Sequence, residues 1–295
     1  MPFLTPLRYP GGKGKLANFM KLVFLENNLL DSPYAEPYAG GAGIALALLF
    51  DEFASHIHIN DLNRSVFSFW MSVLNETDAF CRLIHDTPAT MREWEYQKAV
   101  QQRADQMTTL ELGFSTFFLN RANRSGIITG GVIGGKNQNG PYKLDARLNR
   151  ENLEARIQRI ARFRDRISIY NLDAAQFIQT VLPSISHNAL VYLDPPYYMK
   201  GQGLYENYYE HNNHLEIARL VAQIPQHWIV SYDNAPPIQS MYNLHRQITY
   251  NLSYSAGDRY SGSEVMFFSD GLVIPVVESP ALIPSRRVFQ ALLPI

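Results

Sequence analysis

The segment Asn188-Ala189-Leu190-Val191-Tyr192-Leu193-Asp194-Pro195-Pro196-Tyr197-Tyr198 constrains this chain more than any other. A short apolar run rich in Val, Leu and Tyr is what a strand buried on both faces of a parallel sheet looks like. Here it stops at an acidic residue and two prolines. Neither proline donates a backbone hydrogen bond, and each fixes its own φ and restrains the residue before it, so the strand must end there. The product is a stiff turn that presents one carboxylate, unclaimed carbonyls and two aromatic rings. Ligands of open α/β sheets bind just outside the carboxyl ends of strands, so this turn suits a flat ligand that carries an amine.

The 295 residues fit one large α/β domain, or one domain with a substantial insertion. With 46% hydrophobic and 18% charged residues, a sizeable core is available and general disorder is excluded. A single cysteine, Cys81, excludes an internal disulfide framework and a Cys-based zinc cluster, and a reducing compartment is its natural setting. The segment Met1 to Arg8 lacks a secretory apolar region, and no apolar run is long enough to span a bilayer. The expectation is a cytoplasmic protein with no membrane partner. Net charge is −1, yet residues 117–166 hold eleven basic residues against four acidic ones, +7 locally and −8 over the remainder. Such polarity lets a near-neutral protein place a basic face on phosphates; a solvated helix face is the plainer alternative.

Taken in order, Arg8-Tyr9-Pro10-Gly11-Gly12-Lys13-Gly14-Lys15 precedes an amphipathic stretch from Leu16 to Leu30. It is no phosphate-binding P-loop, because Leu16 stands where a hydroxyl is required. Tyr34-Ala35-Glu36-Pro37-Tyr38-Ala39-Gly40-Gly41-Ala42-Gly43 then reads as strand, glycine turn and the start of an apolar helix from Ile44 to Phe50, the nucleotide-binding corner of a Rossmann-like unit. Leu46 replaces the third glycine of the dinucleotide fingerprint, which favours a smaller nucleoside ligand. Ser55 to Asp61 alternates like a strand and ends on Asp61, about 20 residues beyond the glycine turn, where a carboxylate accepts hydrogen bonds from ribose hydroxyls. Asp61 also suits the N-cap of a helix from Leu62 to Leu74. His56 and His58 share a face with no carboxylate cluster nearby, so no metal is expected.

Residues 75–120 read as mostly helical, with Trp94, Tyr96, Leu110, Leu112, Phe114, Phe117 and Phe118 in the core. From Asn120 to Gly140 short β-type pairs alternate with glycines, which suggests a flexible hairpin flanked by side chains able to read base edges. A helix follows with Leu153, Ile157 and Ile160 on its buried stripe. Strands are expected over Ile167–Asp173 and His227–Asp233, helices over Ala174–Val181 and Leu215–Ile224, and antiparallel edge strands over Ile248–Ser253 and Val265–Ser269. Asp173 ends a strand and can approach a cofactor. The aromatic segment Gly201 to Tyr209 is long enough to act as a lid.

In the order of its motifs the chain resembles the Dam-type, D12-class (alpha group) DNA adenine-N6 methyltransferases, and the resemblance spans almost its whole length. Tyr9-Pro10-Gly11-Gly12-Lys13 is similar to the family's N-terminal cofactor motif, and Glu36 to Gly43 to its acidic, aromatic and glycine motif. Asn60-Asp61-Leu62-Asn63 is similar to the ribose motif, Leu119-Asn120-Arg121 opens the recognition region, and Asp194-Pro195-Pro196-Tyr197 matches the catalytic motif, the most specific of the set. Tyr9 stands where many members carry Trp, and the segment Gly130 to Gly140 is unlike the hairpin of GATC-methylating members.

The resemblance implies a Rossmann-like α/β methyltransferase sheet dependent on S-adenosylmethionine, with an inserted, mostly helical target-recognition region and a β-hairpin. On that pattern residues 1–74 and 164–295 form the catalytic domain and 75–163 the recognition region. It implies Asp194, Pro195, Pro196 and Tyr197 as catalytic; Tyr9, Gly11, Gly12, Lys13, Glu36, Tyr38, Gly40, Asp61, Asp173 and Asp194 as cofactor-binding; and Asn120, Arg121, Asn123, Arg124 and Lys136 as DNA-binding. Methylation of a flipped-out adenine in double-stranded DNA would release S-adenosylhomocysteine. A cognate restriction endonuclease or a defence-system protein is the partner class the family suggests. Another amine acceptor, a non-catalytic nucleic-acid-binding module and, more distantly, a dinucleotide oxidoreductase remain as alternatives.

Overall fold

The computed structural model describes residues 4–8, 13–199, 209–254 and 260–292. The chain forms two compact units, one of residues 1–12 and 61–171, the other of residues 13–60 and 172–295. The segments Tyr9–Gly12 and residues 200–208, which hold Tyr9, Gly11, Gly12 and most of the expected lid, lie outside the described residues.

Seven strands form in chain order: β1 (Ser32–Glu36), β2 (Ala54–Asn60), β3 (Ile167–Tyr170), β4 (Leu190–Leu193), β5 (His227–Asp233), β6 (Arg246–Tyr254) and β7 (Tyr260–Phe268). All but β3 belong to the second unit, in the order β2-β1-β4-β5-β7-β6. The pairings β1–β2, β1–β4 and β4–β5 are parallel, whereas β7 runs antiparallel to both β5 and β6. The chain winds outward from β1 to β2 on one side and from β4 to β5 on the other. The order therefore reverses between β1 and β4, and the crevice beyond their carboxyl ends is where such a sheet binds ligands.

The sequence explains why these two strands are central. Every residue of β4 is buried, as a strand covered on both faces requires. The helix Gly43–Phe50 after β1 is buried from Ile44 to Phe50, which its uninterrupted apolar composition predicts. Of the two strands expected as edges, β7 is instead interior, between β5 and β6. Its run Val265–Phe268 is fully buried, and an edge position would leave those side chains half solvated.

The first unit packs the helices Arg64–Asn75, Thr77–Asp86, Met91–Gln102, Thr109–Ala122 and Arg150–Ala161. Its core is aromatic: Phe80 makes edge contacts with Phe69, Phe114 and Phe117 at centroid separations of 5.8, 6.0 and 5.6 Å. The helix Thr109–Ala122 crosses Arg64–Asn75 so closely at Gly113 that a Cβ there would lie 2.6 Å from the Ser68 carbonyl oxygen. Tyr96, expected in the core, is 54% exposed; the period of its helix turns Trp94, Gln97 and Val100 inward instead. The helix expected from Leu62 starts at Arg64 and is capped by the Asn63 side chain, which accepts from the Ser65 and Val66 amides.

Between residues 120 and 140 the expected hairpin is reduced to one antiparallel bridge, Asn123–Val132, set among turns. The reason lies in two asparagines. Asn120 donates to the carbonyls of Arg8 and Gly126, and Asn123 to those of Ile127 and Ile128. These bonds fold the segment back on itself, as Asn side chains do in turns, instead of leaving its backbone groups to a ladder. No helix among the described residues is long and apolar enough to cross a membrane.

Candidate active site

Strand β4 delivers Asp194 to the switch point, with its side chain 23% exposed. The Ser231 hydroxyl, from the middle of β5, donates to Asp194 Oδ1 at 3.0 Å, and Ser231 Oγ in turn lies 2.7 Å from the Tyr192 hydroxyl. Lys13 Nζ lies 3.5 Å from the same Oδ1. Among the described residues the hydrogen bond and the ion pair of this carboxylate both fall on Oδ1, and none falls on Oδ2. Burial pushes the Asp194 carboxyl up to about 6, against the pull of Lys13 and with a further push from Glu264.

Below Asp194 lies a buried charge network that the sequence did not reveal. Lys13 Nζ donates to both carboxylate oxygens of Glu264, at 2.8 and 2.7 Å, and to the Tyr197 hydroxyl at 2.6 Å. Tyr197 also donates to Glu264, and the Tyr250 hydroxyl donates to Glu264 Oε2 at 2.8 Å. Glu264 is 1% exposed and Tyr197 5%. One ammonium thus serves two carboxylates, and it sits over the Tyr197 ring, 4.9 Å from its centroid. The turn beyond is held from β5: Asp233 accepts the backbone N–H of Tyr198 at Oδ1 (2.8 Å) and of Met199 at Oδ2 (2.9 Å). The Tyr198 hydroxyl pairs with His211 Nδ1 at 3.0 Å. A charged residue opening the apolar run Val265–Phe268 was the one available signal for Glu264.

At the end of β1 the chain turns through two left-handed residues, Gly40 (φ 47°) and Ala42 (φ 48°), before the helix Gly43–Phe50. The helix starts without a side-chain cap. Glu36 is buried, accepting from the Tyr34 hydroxyl at 2.9 Å and the Ala45 amide at 3.2 Å. Burial raises its carboxyl to about 8, so it is protonated at neutral pH. Tyr38 pairs with the Tyr209 hydroxyl at 3.1 Å. Asp173 caps the helix Ala174–Thr180 by accepting the Ala175 amide at 2.8 Å.

The proton on Glu36 has a measurable consequence. Between the ordinary carboxylate range and about 8 the unfolded chain ionises this group and the folded chain does not. Stability due to Glu36 is therefore fully present at acid pH and falls by about 1.4 kcal/mol per pH unit as pH rises through that window. Denaturant midpoints recorded from pH 5 to 8.5 are expected to fall more steeply for the wild type than for Glu36→Gln. Parallel curves for the two proteins would refute the assignment.

In the first unit, Asp61 Oδ1 accepts the Asn63 amide at 2.9 Å. Asn120 and Asn123, expected to face DNA, are 2% and 0% exposed and are engaged in shaping turns. Arg124 and Lys136 are exposed. Arg8, Arg121, Arg147 and Arg156 cluster, and burial followed by repulsion from the other three brings the Arg121 guanidinium down to about 10. Arg8, Arg121 and Arg156 donate to backbone carbonyls: Arg8 to Asn123, Arg121 to Arg147 and Pro6, and Arg156 to Thr5. Among the described residues no carboxylate pairs with any of the four.

A model of the D12 class N6 adenine-specific DNA methyltransferases matches residues 9–253, from the first glycine motif into β6. The chain belongs to this family. This methyltransferase accordingly acts on adenine in DNA, with S-adenosylmethionine as the methyl donor that the family implies. A search of curated proteins finds no match to the methyltransferase. Among solved structures, a candidate RNA methyltransferase from Pyrococcus horikoshii is 8% identical with a TM-score of 0.42, covering 89% of this chain and 84% of the other. A conserved hypothetical protein of Streptococcus pyogenes is 11% identical with a TM-score of 0.33, covering 82% and 88%. Neither likeness is close enough to bear on substrate or mechanism.

Proposed function

We propose that the methyltransferase modifies the N6 amine of a flipped-out adenine at a specific site in double-stranded DNA, with Asp194-Pro195-Pro196-Tyr197 as its catalytic turn. The observation that carries this reading is Asp194 at the switch point, its Oδ1 held by Ser231 and Lys13 and its Oδ2 without a hydrogen bond among the described residues. An exocyclic amine donating to Asp194 and to a proline carbonyl is drawn toward tetrahedral geometry, so its lone pair leaves the ring. Those contacts strengthen as the amine gains positive charge, and the turn therefore favours the transition state over the ground state. By resemblance Tyr197 is the residue that stacks on the base, whereas in this structure it is 5% exposed with Lys13 over its ring, so stacking requires the turn to open. A base inside a duplex cannot reach such a turn, which is the reason for flipping.

The residues present suit S-adenosylmethionine. The left-handed turn from Gly40 to Ala42 would let a ligand approach the backbone, Tyr38 offers a ring, and Asp173 caps the helix Ala174–Thr180; among the described residues no basic cluster for a pyrophosphate accompanies them. When bound, this cofactor supplies a methyl group on an electrophilic sulfonium. Gly11, Gly12, Tyr9 and the ribose role of Asp61 rest on the resemblance alone. Lys13 is placed against Glu264 and Tyr197, so we read it as ordering the catalytic turn. Residues 75–163 are proposed to recognise the target, with Arg121, Arg124 and Lys136 on phosphates or bases and Asn120 and Asn123 setting the turn beneath them. Incubating unmethylated duplex DNA of mixed sequence with labelled S-adenosylmethionine is expected to yield N6-methyladenine at one sequence context. Label in cytosine, in RNA only, or in no product would sink the reading.

A further inference from the structure

Glu264 lies 251 residues from Lys13 in sequence, on the antiparallel strand β7, yet its carboxylate gathers three donors: Lys13, Tyr197 and Tyr250. Burying a carboxylate is costly unless it is paired and hydrogen-bonded, as Glu264 is by Lys13, Tyr197 and Tyr250. The geometry shows what it does to its neighbours. Lys13 sits 2.7 Å from Glu264 and 3.5 Å from Asp194, so the ammonium is held closer to the buried Glu264 than to the turn. We infer that Glu264 is a positioning residue for methyl transfer: it holds Lys13 and the Tyr197 hydroxyl on itself, which keeps the ammonium from closing on Asp194 and leaves that carboxylate free for the adenine amine.

The inference rests on the reading of Asp194 as the amine acceptor. Without Glu264, Lys13 would find Asp194 as its nearest remaining anion. A tight ion pair there would occupy the acceptor that the amine needs and would favour the ionised carboxylate. Among the described residues, the groups that face Asp194 are Lys13, Glu264, Glu36, Tyr34, Tyr192, Tyr250 and Ser231, and Lys13 is the one cation in that set. Both changes made by Glu264→Gln, loss of a neighbouring negative charge and approach of Lys13, act on the Asp194 carboxyl in the same downward direction.

The test uses the full chain with labelled S-adenosylmethionine and unmethylated duplex DNA of mixed sequence. For Glu264→Gln, kcat is expected to fall about tenfold to a hundredfold, with the KM for the cofactor little changed. The acid limb of its kcat profile is expected to move to lower pH than in the wild type, which mere loosening of the fold would not cause. Glu264→Asp keeps the charge but withdraws it by one methylene, and it should fall between the two in both rate and limb. If Glu264→Gln does not fold, Glu264→Asp carries the test alone. Wild-type rate and an unmoved limb in the folded variant would overturn the role of Glu264 while leaving Asp194 intact. A wild-type chain that forms no N6-methyladenine would overturn the reading on which the role depends, and the role with it.

Discussion

Asp194→Ala is expected to lower methyl transfer by about a hundredfold to a thousandfold or more, the scale seen when one preorganised partner of developing charge is removed. The side chain is placed for that effect: its Oδ1 is fixed by Ser231, and its Oδ2 takes no hydrogen bond among the described residues. The substitution leaves the sheet intact, because the strand is terminated by Pro195 and Pro196 whatever precedes them. Cofactor binding should weaken yet stay measurable. In the wild type the rate should fall as pH drops through about 6, since protonation removes acceptor capacity from Asp194. Single-turnover rates at saturating cofactor, alongside equilibrium binding, separate the two effects. Near wild-type turnover in Asp194→Ala would end the proposed mechanism.

Lys13→Met is expected to have the largest effect on stability, about 3–5 kcal/mol. Lys13 and Glu264 have side chains 3% and 1% exposed, so removing the ammonium leaves Glu264 in the core with only neutral donors, and Asp194 without its nearest cation. A methionine fills the space of the lysine stem, so the loss reports charge and not volume. The double variant Lys13→Met/Glu264→Gln should recover much of that loss, because a neutral pair is cheaper to bury than a lone carboxylate. Urea unfolding of the four proteins in this cycle measures the coupling. A loss under about 1 kcal/mol in the single variant would mean that the pair adds nothing to the core.

Local chemistry was legible in the sequence, and closure at a distance was not. The run Leu190–Leu193, the Asp-Pro-Pro stop and the glycine turn after Glu36 each carry their structure in adjacent residues, and the strand expected over His227–Asp233 forms over those residues. Lys13 was legible only as part of a glycine motif, because its partner lies on a strand near the other end of the chain. Tyr96 shows a second limit: an aromatic ring in a helical run says little about which face it takes until neighbouring helices are placed. Asn120 and Asn123 show a third. Their side chains are as suited to reading bases as to folding a turn, and the deciding fact is the backbone carbonyl that each one reaches.

The bond between Lys13 and Glu264 also sets a timetable. Chains emerge from the ribosome at about 5–20 residues per second, and early segments begin to fold before later ones exist. Lys13, Asp194 and the glycine turn are all made before β7, so the parallel strands β1, β2, β4 and β5 can assemble around a lysine that still lacks its main counter-ion. On the role proposed for Glu264, competence would arrive only when the hairpin of β6 and β7 docks. A nascent or truncated product would then hold a cofactor corner without a working catalytic turn, and the genome would meet this activity only as a finished molecule.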